Sequence, residues 1–224
     1  MKQYILLTFV FSLFCCNTVN AQHYKRADAY SDQLTAFWNE DAIAKPAPGA
    51  ILFIGSSTIR MWDTKQCFPN HRTLNRGFGG ALISDILYHL PRLVYAYDPA
   101  QIVFYAGPGD LNSGATPDQV LDYIKCFLNL INFNLPEVPV IVLSFRTSPS
   151  TINRDGVHQY LNWKLKNYCE QNPKLTFVEM ESVLYDKNGV LRGELFLKDK
   201  LHLRPEAYDL MSKILEPYLI NNKN

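Results

Sequence analysis

Four short apolar runs lie along the chain, at residues 50–54, 102–105, 138–143 and 175–178. The first run is apolar at consecutive positions and not only at alternate ones. This pattern is typical of a central strand that helices cover on both faces. The four runs therefore predict buried strands.

The segments between these runs have the apolar spacing of helices. They predict helices over residues 81–90, 117–131, 157–169 and 205–219. Strands that alternate with helices of this length predict a doubly wound α/β sandwich with a parallel sheet. A further helix and a lead-in are expected within residues 22–49, so the α/β domain itself spans residues 50–224.

The first 21 residues have the pattern of a secretory signal peptide. Lys2 precedes an apolar run over residues 4–16, and small residues at Val19 and Ala21 predict cleavage after Ala21. The run is shorter than the roughly 20 apolar residues that a membrane span needs. Acylation at Cys15, as in a lipoprotein, is disfavoured because a bulky phenylalanine precedes it. We therefore expect an exported protein, periplasmic or extracellular, without an integral membrane span.

Composition and charge indicate one globular domain. The chain has 224 residues, 47% of them hydrophobic and 19% charged, and a formal net charge of +1. This balance disfavours nucleic acid as a partner, because an extended nucleic-acid interface needs a field of one sign. Beyond the signal peptide, Cys67, Cys126 and Cys169 are too widely spaced for a zinc or redox motif. We expect them to be buried thiols.

Three polar side chains at two distant places in the chain are candidates for chemistry. The tripeptide Gly55-Ser56-Ser57 follows the first apolar run, and Asp199 and His202 precede the last predicted helix. In a parallel α/β sheet, catalytic groups lie in loops at the carboxyl ends of the strands, so these loops are expected to meet. Serine, histidine and aspartate can act there as nucleophile, base and orienting group in ester hydrolysis. Taken singly, Ser57 also fits a helix cap, and His202 fits a surface side chain.

Two glycine-containing loops are expected near the same edge of the sheet. One covers residues 75–80, and the other covers residues 107–110, after the second apolar run. Glycines let backbone N–H groups approach a ligand closely, and such groups stabilise developing negative charge. A tightly packed strand-to-helix connection explains the glycines equally well.

These segments together resemble the motifs of the SGNH, or GDSL-type, hydrolases, in the same order and at similar spacing over residues 50–220. The sequence is most similar to the secreted bacterial branch that resembles platelet-activating-factor acetylhydrolase, where Arg60 and Trp62 also fit the pattern. The resemblance implies a flavodoxin-like three-layer α/β/α sandwich with a central parallel sheet. It also implies hydrolysis of carboxylic esters without a metal or an organic cofactor.

Residue roles follow from the same resemblance. Ser57 corresponds to the nucleophile, His202 to the general base and Asp199 to the group that orients it. The amide of Gly80 would join that of Ser57 in the oxyanion hole. Gly109 is a departure, since the family usually has asparagine there as a further donor. Loss of one such donor costs about 10²–10³ in turnover in a comparable oxyanion hole.

Three interpretations of Gly109 stay open. The Pro108-Gly109 turn could place the Gly109 amide, or the side chain of Asn112, toward the oxyanion. Alternatively, the protein is a weak hydrolase, or it has lost catalysis and keeps a binding cleft.

The functional hypothesis is an exported serine esterase that cleaves carboxylic esters of short acyl groups, such as acetyl, through an acyl-enzyme. The alternative is a catalytically silent relative that binds a carbohydrate or lipid ester. A flavodoxin-like nucleotide or flavin binder explains the candidate residues poorly, because the chain has no phosphate-binding loop motif. Arg146 and Arg154 follow the third apolar run and are secondary candidates for contact with an acidic or sugar substrate.

Overall fold

The computed structural model describes residues 30–222. Five parallel strands form one sheet in these residues, in the order β2-β1-β3-β4-β5. The strands are β1 (Ile51–Gly55), β2 (Thr73–Asn75), β3 (Gln101–Tyr105), β4 (Val140–Leu143) and β5 (Leu175–Val178). This order reverses direction between β1 and β3, which is the place where doubly wound sheets bind ligands at the carboxyl ends of their strands.

Eight α-helices accompany the sheet in the described residues. They are α1 (Ser31–Ile43), α2 (Ser57–Arg60), α3 (Thr64–Cys67), α4 (Ile83–Leu93), α5 (Pro108–Asn112), α6 (Pro117–Asn134), α7 (Asp155–Glu170) and α8 (Pro205–Leu215). Thr116 caps α6, because its hydroxyl accepts the N–H of Gln119 while the Gln119 side chain accepts the N–H of Thr116.

Alternate residues of each central strand feed two separate cores. Leu52 and Ile54 pack on one face with the apolar sides of α1, α4, α6 and α7, while Ile51 and Phe53 pack on the other with α2 and α8. Every residue of β1 and β3 is buried. Successive side chains of a strand point to opposite faces, so burial on both faces requires helices on both sides. The predicted three-layer α/β/α sandwich is confirmed.

The predicted strands are confirmed, with small differences at the ends of several elements. The strand expected over residues 138–143 begins at Val140, and a fifth strand of only three residues forms at Thr73–Asn75. The last helix ends at Leu215 rather than at residue 219 and continues as a 3-10 turn over Glu216–Tyr218. Pro217 explains this change, since proline has no N–H for a helical hydrogen bond.

The three described cysteines are thiols, but only one of them is buried. Cys169 is buried, Cys67 is half-buried and Cys126 is exposed on α6. The prediction of buried thiols is therefore confirmed for Cys169, holds only in part for Cys67 and is wrong for Cys126, which lies on the solvent side of an amphipathic helix. The predicted signal peptide lies outside the described residues. Within residues 30–222, no helix is both long and apolar enough to cross a membrane.

Helix α1 is attached to the sheet through Arg76, which follows β2. The buried guanidinium of Arg76 pairs with the Asp41 carboxylate and donates to the Tyr97 hydroxyl at 2.9 Å. The rings of Phe37 and Tyr97 lie 4.8 and 4.9 Å from it. A buried arginine is stable only where such partners compensate its lost hydration. The contact fixes α1 beside the loop that follows β2.

Candidate active site

Ser57 is the first residue of α2 and lies immediately beyond the end of β1. The connection is tight because Gly55 passes close to β3: a Cβ at Gly55 would lie 2.0 Å from the Tyr105 carbonyl oxygen. The N–H of Ser56 donates to that same oxygen at 3.1 Å. Gly55 and this hydrogen bond turn the chain directly from a central strand into a helix, with Ser57 at the turn.

The Asp199–His202 segment forms a compact turn before α8. One carboxylate oxygen of Asp199 accepts the backbone N–H groups of Leu201 and His202, both at 2.9 Å. The other oxygen is 2.7 Å from His202 Nδ1. These hydrogen bonds lower the pKa of Asp199 to about 2, and the bond from the imidazole has a larger effect than those from the two amides. Asp199 is therefore a carboxylate at any pH near neutral.

The structure brings the three predicted side chains together. His202 Nε2 lies 3.0 Å from Ser57 Oγ, although the two residues are 145 positions apart. Because the Asp199 carboxylate only accepts hydrogen bonds, Nδ1 carries the imidazole proton and Nε2 keeps its lone pair. The Ser57 hydroxyl then donates to Nε2, which is the arrangement that removes a serine proton during nucleophilic attack.

The glycine loop after β2 is held by α1, a contact that the sequence analysis did not anticipate. Gly79 donates its N–H to the Gln33 side-chain oxygen at 2.8 Å and accepts from the Gln33 side-chain nitrogen at 3.3 Å. The Tyr30 hydroxyl donates to the Gly80 carbonyl at 2.6 Å. Gly80 has a φ of 77°, a conformation that favours glycine. The side chains of Gln33 in α1 and of Tyr30, which precedes α1, thus set the orientation of the peptide groups around Gly80.

Gly109 is the second residue of α5 and lines the same cavity as Ser57 and Gly80. An N–H in the first turn of a helix has no partner within that helix. Asn112 also lines the cavity, and its side-chain oxygen accepts from Arg154. Gly109 and Asn112, the two residues considered as substitutes for the asparagine of SGNH hydrolases, therefore both line this cavity. The neighbouring Asp110 binds α4 instead, because its carboxylate accepts the N–H of Ile83 at the start of that helix.

The cavity has a volume of about 550 Å³. Arg146 lies in its wall and connects the two halves of the site. Its guanidinium donates to the Leu201 carbonyl and to the Thr58 hydroxyl, both at 3.3 Å. Leu201 precedes His202 and Thr58 follows Ser57, so one side chain links the base loop to the nucleophile helix. The sequence analysis treated Arg146 only as a substrate contact, because this cross-link depends on the tertiary fold.

His158 is a further titratable group in the wall of the cavity. Its side chain is buried on α7, and its Nδ1 lies 3.4 Å from the Thr147 hydroxyl. That hydroxyl donates to the Asp155 carboxylate at 2.8 Å. Burial disfavours the charged imidazolium and lowers the pKa of His158 from 6.5 to about 4, against the opposing effect of Asp155.

Replacement of His158 by glutamine is expected to reduce the acid sensitivity of the fold. As the pH falls below 6.5, the unfolded chain binds a proton at His158, while the folded chain does not until about pH 4. Stability is therefore lost between these two values, by about 2–3 kcal/mol at pH 4.5. Urea unfolding at pH 7 and pH 4.5 should show a smaller difference in the free energy of unfolding for His158→Gln. An identical difference in the wild type and the variant would contradict this expectation.

Of four large aromatic side chains, one lies in the wall of the cavity. Tyr105 lines the cavity, whereas Trp62 and Phe145 are buried in the two cores and Trp163 is exposed. Within residues 30–222, no three His, Cys, Asp or Glu side chains form a group that could hold a metal ion.

A five-stranded sheet in the order β2-β1-β3-β4-β5, with Ser57, Asp199 and His202 at its carboxyl edge, is a flavodoxin-like α/β/α architecture with a hydrogen-bonded Ser-His-Asp arrangement. More specifically, the chain has the fold of the SGNH, or GDSL-type, hydrolases. The resemblance found in the sequence is confirmed by the similarity of this fold to solved structures.

Two such structures illustrate the likeness. One is a Streptococcus pneumonia protein whose proposed assignment is platelet activating factor, with a TM-score of 0.73 and 20% identity, covering 90% of this chain and all (100%) of the other. The second is a GDSL-like lipase from Bacteroides thetaiotaomicron, with a TM-score of 0.68 and 21% identity, covering 87% of this chain and 97% of the other.

Sequence comparison points in the same direction. The human platelet-activating factor acetylhydrolase IB subunit alpha1 is 24% identical over 186 residues, which cover 80% of this chain and 79% of the relative. No family model matches the chain.

Proposed function

We propose that this protein is a serine esterase that hydrolyses carboxylic esters through an acyl-enzyme at Ser57. The observation that carries the proposal is the continuous hydrogen-bonded series from Ser57 Oγ to His202 Nε2 and from His202 Nδ1 to the Asp199 carboxylate, at 3.0 and 2.7 Å. In this series the imidazole is in the correct tautomer to accept the serine proton.

The geometry supports a two-step reaction. Ser57 Oγ attacks the ester carbonyl carbon while its proton moves to His202 Nε2, and a tetrahedral intermediate forms. The intermediate collapses when the bond to the alcohol oxygen breaks, and His202 gives its proton to that oxygen. A water molecule then loses a proton to His202 and attacks the acyl carbon. When the bond from that carbon to Ser57 Oγ breaks, His202 returns its proton to Ser57 Oγ and the acid is released. Asp199 stabilises the imidazolium in both steps.

Backbone amides are the proposed donors to the oxyanion. Those of Ser57 and Gly80 take this role, and the amide of Gly109 is the third candidate. The proposal is supported by the position of all three residues in the wall of one cavity. Preorganised donors are worth most where negative charge develops, so a missing side-chain amide at Gly109 predicts a handicapped rather than an inactive enzyme.

Introducing asparagine at Gly109 is expected to raise kcat on para-nitrophenyl acetate by about 10- to 100-fold, which is part of the value of one donor. The position is tight, because a Cβ there would lie 3.3 Å from the Ala81 carbonyl oxygen and 3.4 Å from Leu82 Cδ2, so these neighbours must shift by a few tenths of an ångström. Gly109→Ala is the matched control, since it adds the Cβ without an amide. If Gly109→Asn leaves kcat within a few-fold of the wild type, then the Gly109 amide or the Asn112 side chain already supplies the donor.

A short acyl group, such as acetyl, and an exported protein complete the proposal. The acetyl preference is supported by the curated relative, whose name states that it is an acetylhydrolase. Export is supported by the pattern of residues 1–21. A panel of esters from acetyl to long-chain acyl groups tests the preference, and hydrolysis that increases with chain length would overturn it.

One observation favours a second candidate function. Gly109 lacks the donor that the family usually has, which fits a silent relative that keeps the cavity to bind a carbohydrate or lipid ester. A fluorophosphonate probe separates the two functions, because it reacts only with an activated serine. The esterase proposal expects an adduct on the peptide that contains Ser57, located by mass spectrometry. Ligand affinity without an adduct would support the binding protein.

A further inference from the structure

The cavity beside Ser57 and His202 has a strongly one-sided charge. Three arginines line it, namely Arg60, Arg146 and Arg154, and no Asp or Glu of the described residues does. The overall charge of the chain is only +1, so this concentration of cations is local. A concave site lined by charge of one sign attracts ligands of the opposite sign.

None of these three guanidinium groups has a carboxylate partner within 4.0 Å among residues 30–222. Other arginines of the chain do have one, as Arg76 has in Asp41 and Arg192 has in Glu194. The paired arginines lie outside the wall of the cavity, although Arg92, which also lies outside it and stacks on the Trp38 ring, has no carboxylate partner within 4.0 Å in the described residues either.

Arg146 is the most informative of the three, because it is 7% exposed and still lacks a counter-charge. Its two terminal nitrogens donate to a carbonyl and a hydroxyl at 3.3 Å, and its buried Nε has no hydrogen-bond partner. A guanidinium held away from water by neutral partners alone retains most of its attraction for an anion. The positive charge of Arg146 is therefore available to attract an anionic ligand in the cavity.

The other two arginines have accessible guanidinium groups. Arg154 donates only to the neutral side chain of Asn112, and Arg60 is exposed beside Gly79. A planar guanidinium matches the two oxygens of a carboxylate, phosphate or sulfate and forms stronger hydrogen bonds with them than with neutral groups.

We infer that the ester bound in this cavity carries an anionic group. Arg60 and Arg154 contact this group, and the positive charge of Arg146 attracts it. This inference rests on the proposed esterase function and specifies its substrate class. The anion lies on either the alcohol or the acyl portion, and the oxyanion of the reaction is a separate charge at the backbone amides.

Two matched pairs of esters test the inference. For the alcohol portion, meta-acetoxybenzoate is compared with meta-acetoxybenzamide. For the acyl portion, the para-nitrophenyl monoester of adipic acid is compared with that of its monoamide. In at least one pair, we expect the anionic ester to have about tenfold higher kcat/KM, the value of one charge-assisted hydrogen bond. Added salt should narrow the preference.

Variants then assign the preference to the arginines. Arg60→Gln and Arg154→Gln should each lower the ratio of the anionic to the neutral kcat/KM, and the double variant should bring it close to one. Arg192→Gln, which changes an arginine paired with Glu194 outside the cavity, is the matched control and should keep the wild-type ratio. An unchanged ratio in the double variant would overturn the assignment to these residues.

Failure of the inference and failure of the esterase proposal give different results. If both neutral esters are hydrolysed in a Ser57-dependent manner and neither pair shows a preference, the inference is wrong and the esterase stands. If no ester is hydrolysed, calorimetric binding of the same pairs to Ser57→Ala still decides the point. Tighter binding of an anionic ester supports the inference, and equal binding in both pairs overturns it.

Discussion

Ser57→Ala should lower kcat/KM for para-nitrophenyl acetate by roughly 10⁴-fold or more, as expected when the nucleophile of an acyl-enzyme mechanism is removed. The change removes only the hydroxyl that donates to His202 Nε2. Backbone amides and the cavity remain, so weak residual turnover above the uncatalysed rate is expected. The measurement is steady-state hydrolysis with the variant purified free of the wild type.

Ser113→Ala is the matched control for this experiment. Ser113 is an exposed serine just beyond α5 and does not line the cavity. The Ser113→Ala variant should therefore hydrolyse the ester at the wild-type rate. Thermal unfolding of both variants checks that the fold is intact. A Ser57→Ala variant that is folded and keeps turnover within tenfold of the wild type would rule out Ser57 as the nucleophile.

Asp199→Asn is expected to lower kcat by roughly 10²–10⁴-fold through a change of imidazole tautomer. One oxygen of Asp199 accepts two backbone N–H groups, which will bind the amide oxygen of the asparagine in the same way. The amide nitrogen must then face His202 Nδ1 and donate to it. Nε2 consequently carries the proton and cannot accept the one from Ser57.

The chain contains a close control for that substitution. Asp186 also accepts two backbone N–H groups in a turn, from Asn188 at 2.9 Å and Val190 at 2.8 Å, but it has no histidine partner in the structure. Asp186→Asn should therefore leave kcat unchanged. Nitrogen NMR of the His202 ring should show the altered tautomer in Asp199→Asn alone. Loss of kcat without a change of tautomer would contradict this explanation.

The sequence predicted the core of the site because each part follows a local rule. Ser57 follows a strand that is apolar on both faces, and His202 precedes a helix that starts with proline. The topology of a parallel sheet brings both loops to the same edge. This argument needs only the order of elements, so it does not depend on the exact ends of strands and helices.

Other parts of the site depend on contacts that no local pattern indicates. Gln33 and Tyr30 reach Gly79 and Gly80 across 46 and 50 positions, and Arg146 reaches Leu201 across 55. Gln33 and Tyr30 belong to common residue types at unremarkable positions, and Arg146 was noted in the sequence only as a candidate substrate contact. Only the packing of α1 and of the segment after β4 against the carboxyl edge gives them a role.

The position of α1 also changes where the working unit of the protein begins. A shortened chain that started at residue 50 would keep Ser57, Asp199 and His202, yet it would lack the Tyr30 hydroxyl and the Gln33 amide that fix the peptide groups of the glycine loop. It would also expose the apolar surface that Leu34 now covers. Expression fragments and fusion junctions therefore belong upstream of Tyr30, even though the first strand starts about twenty residues later.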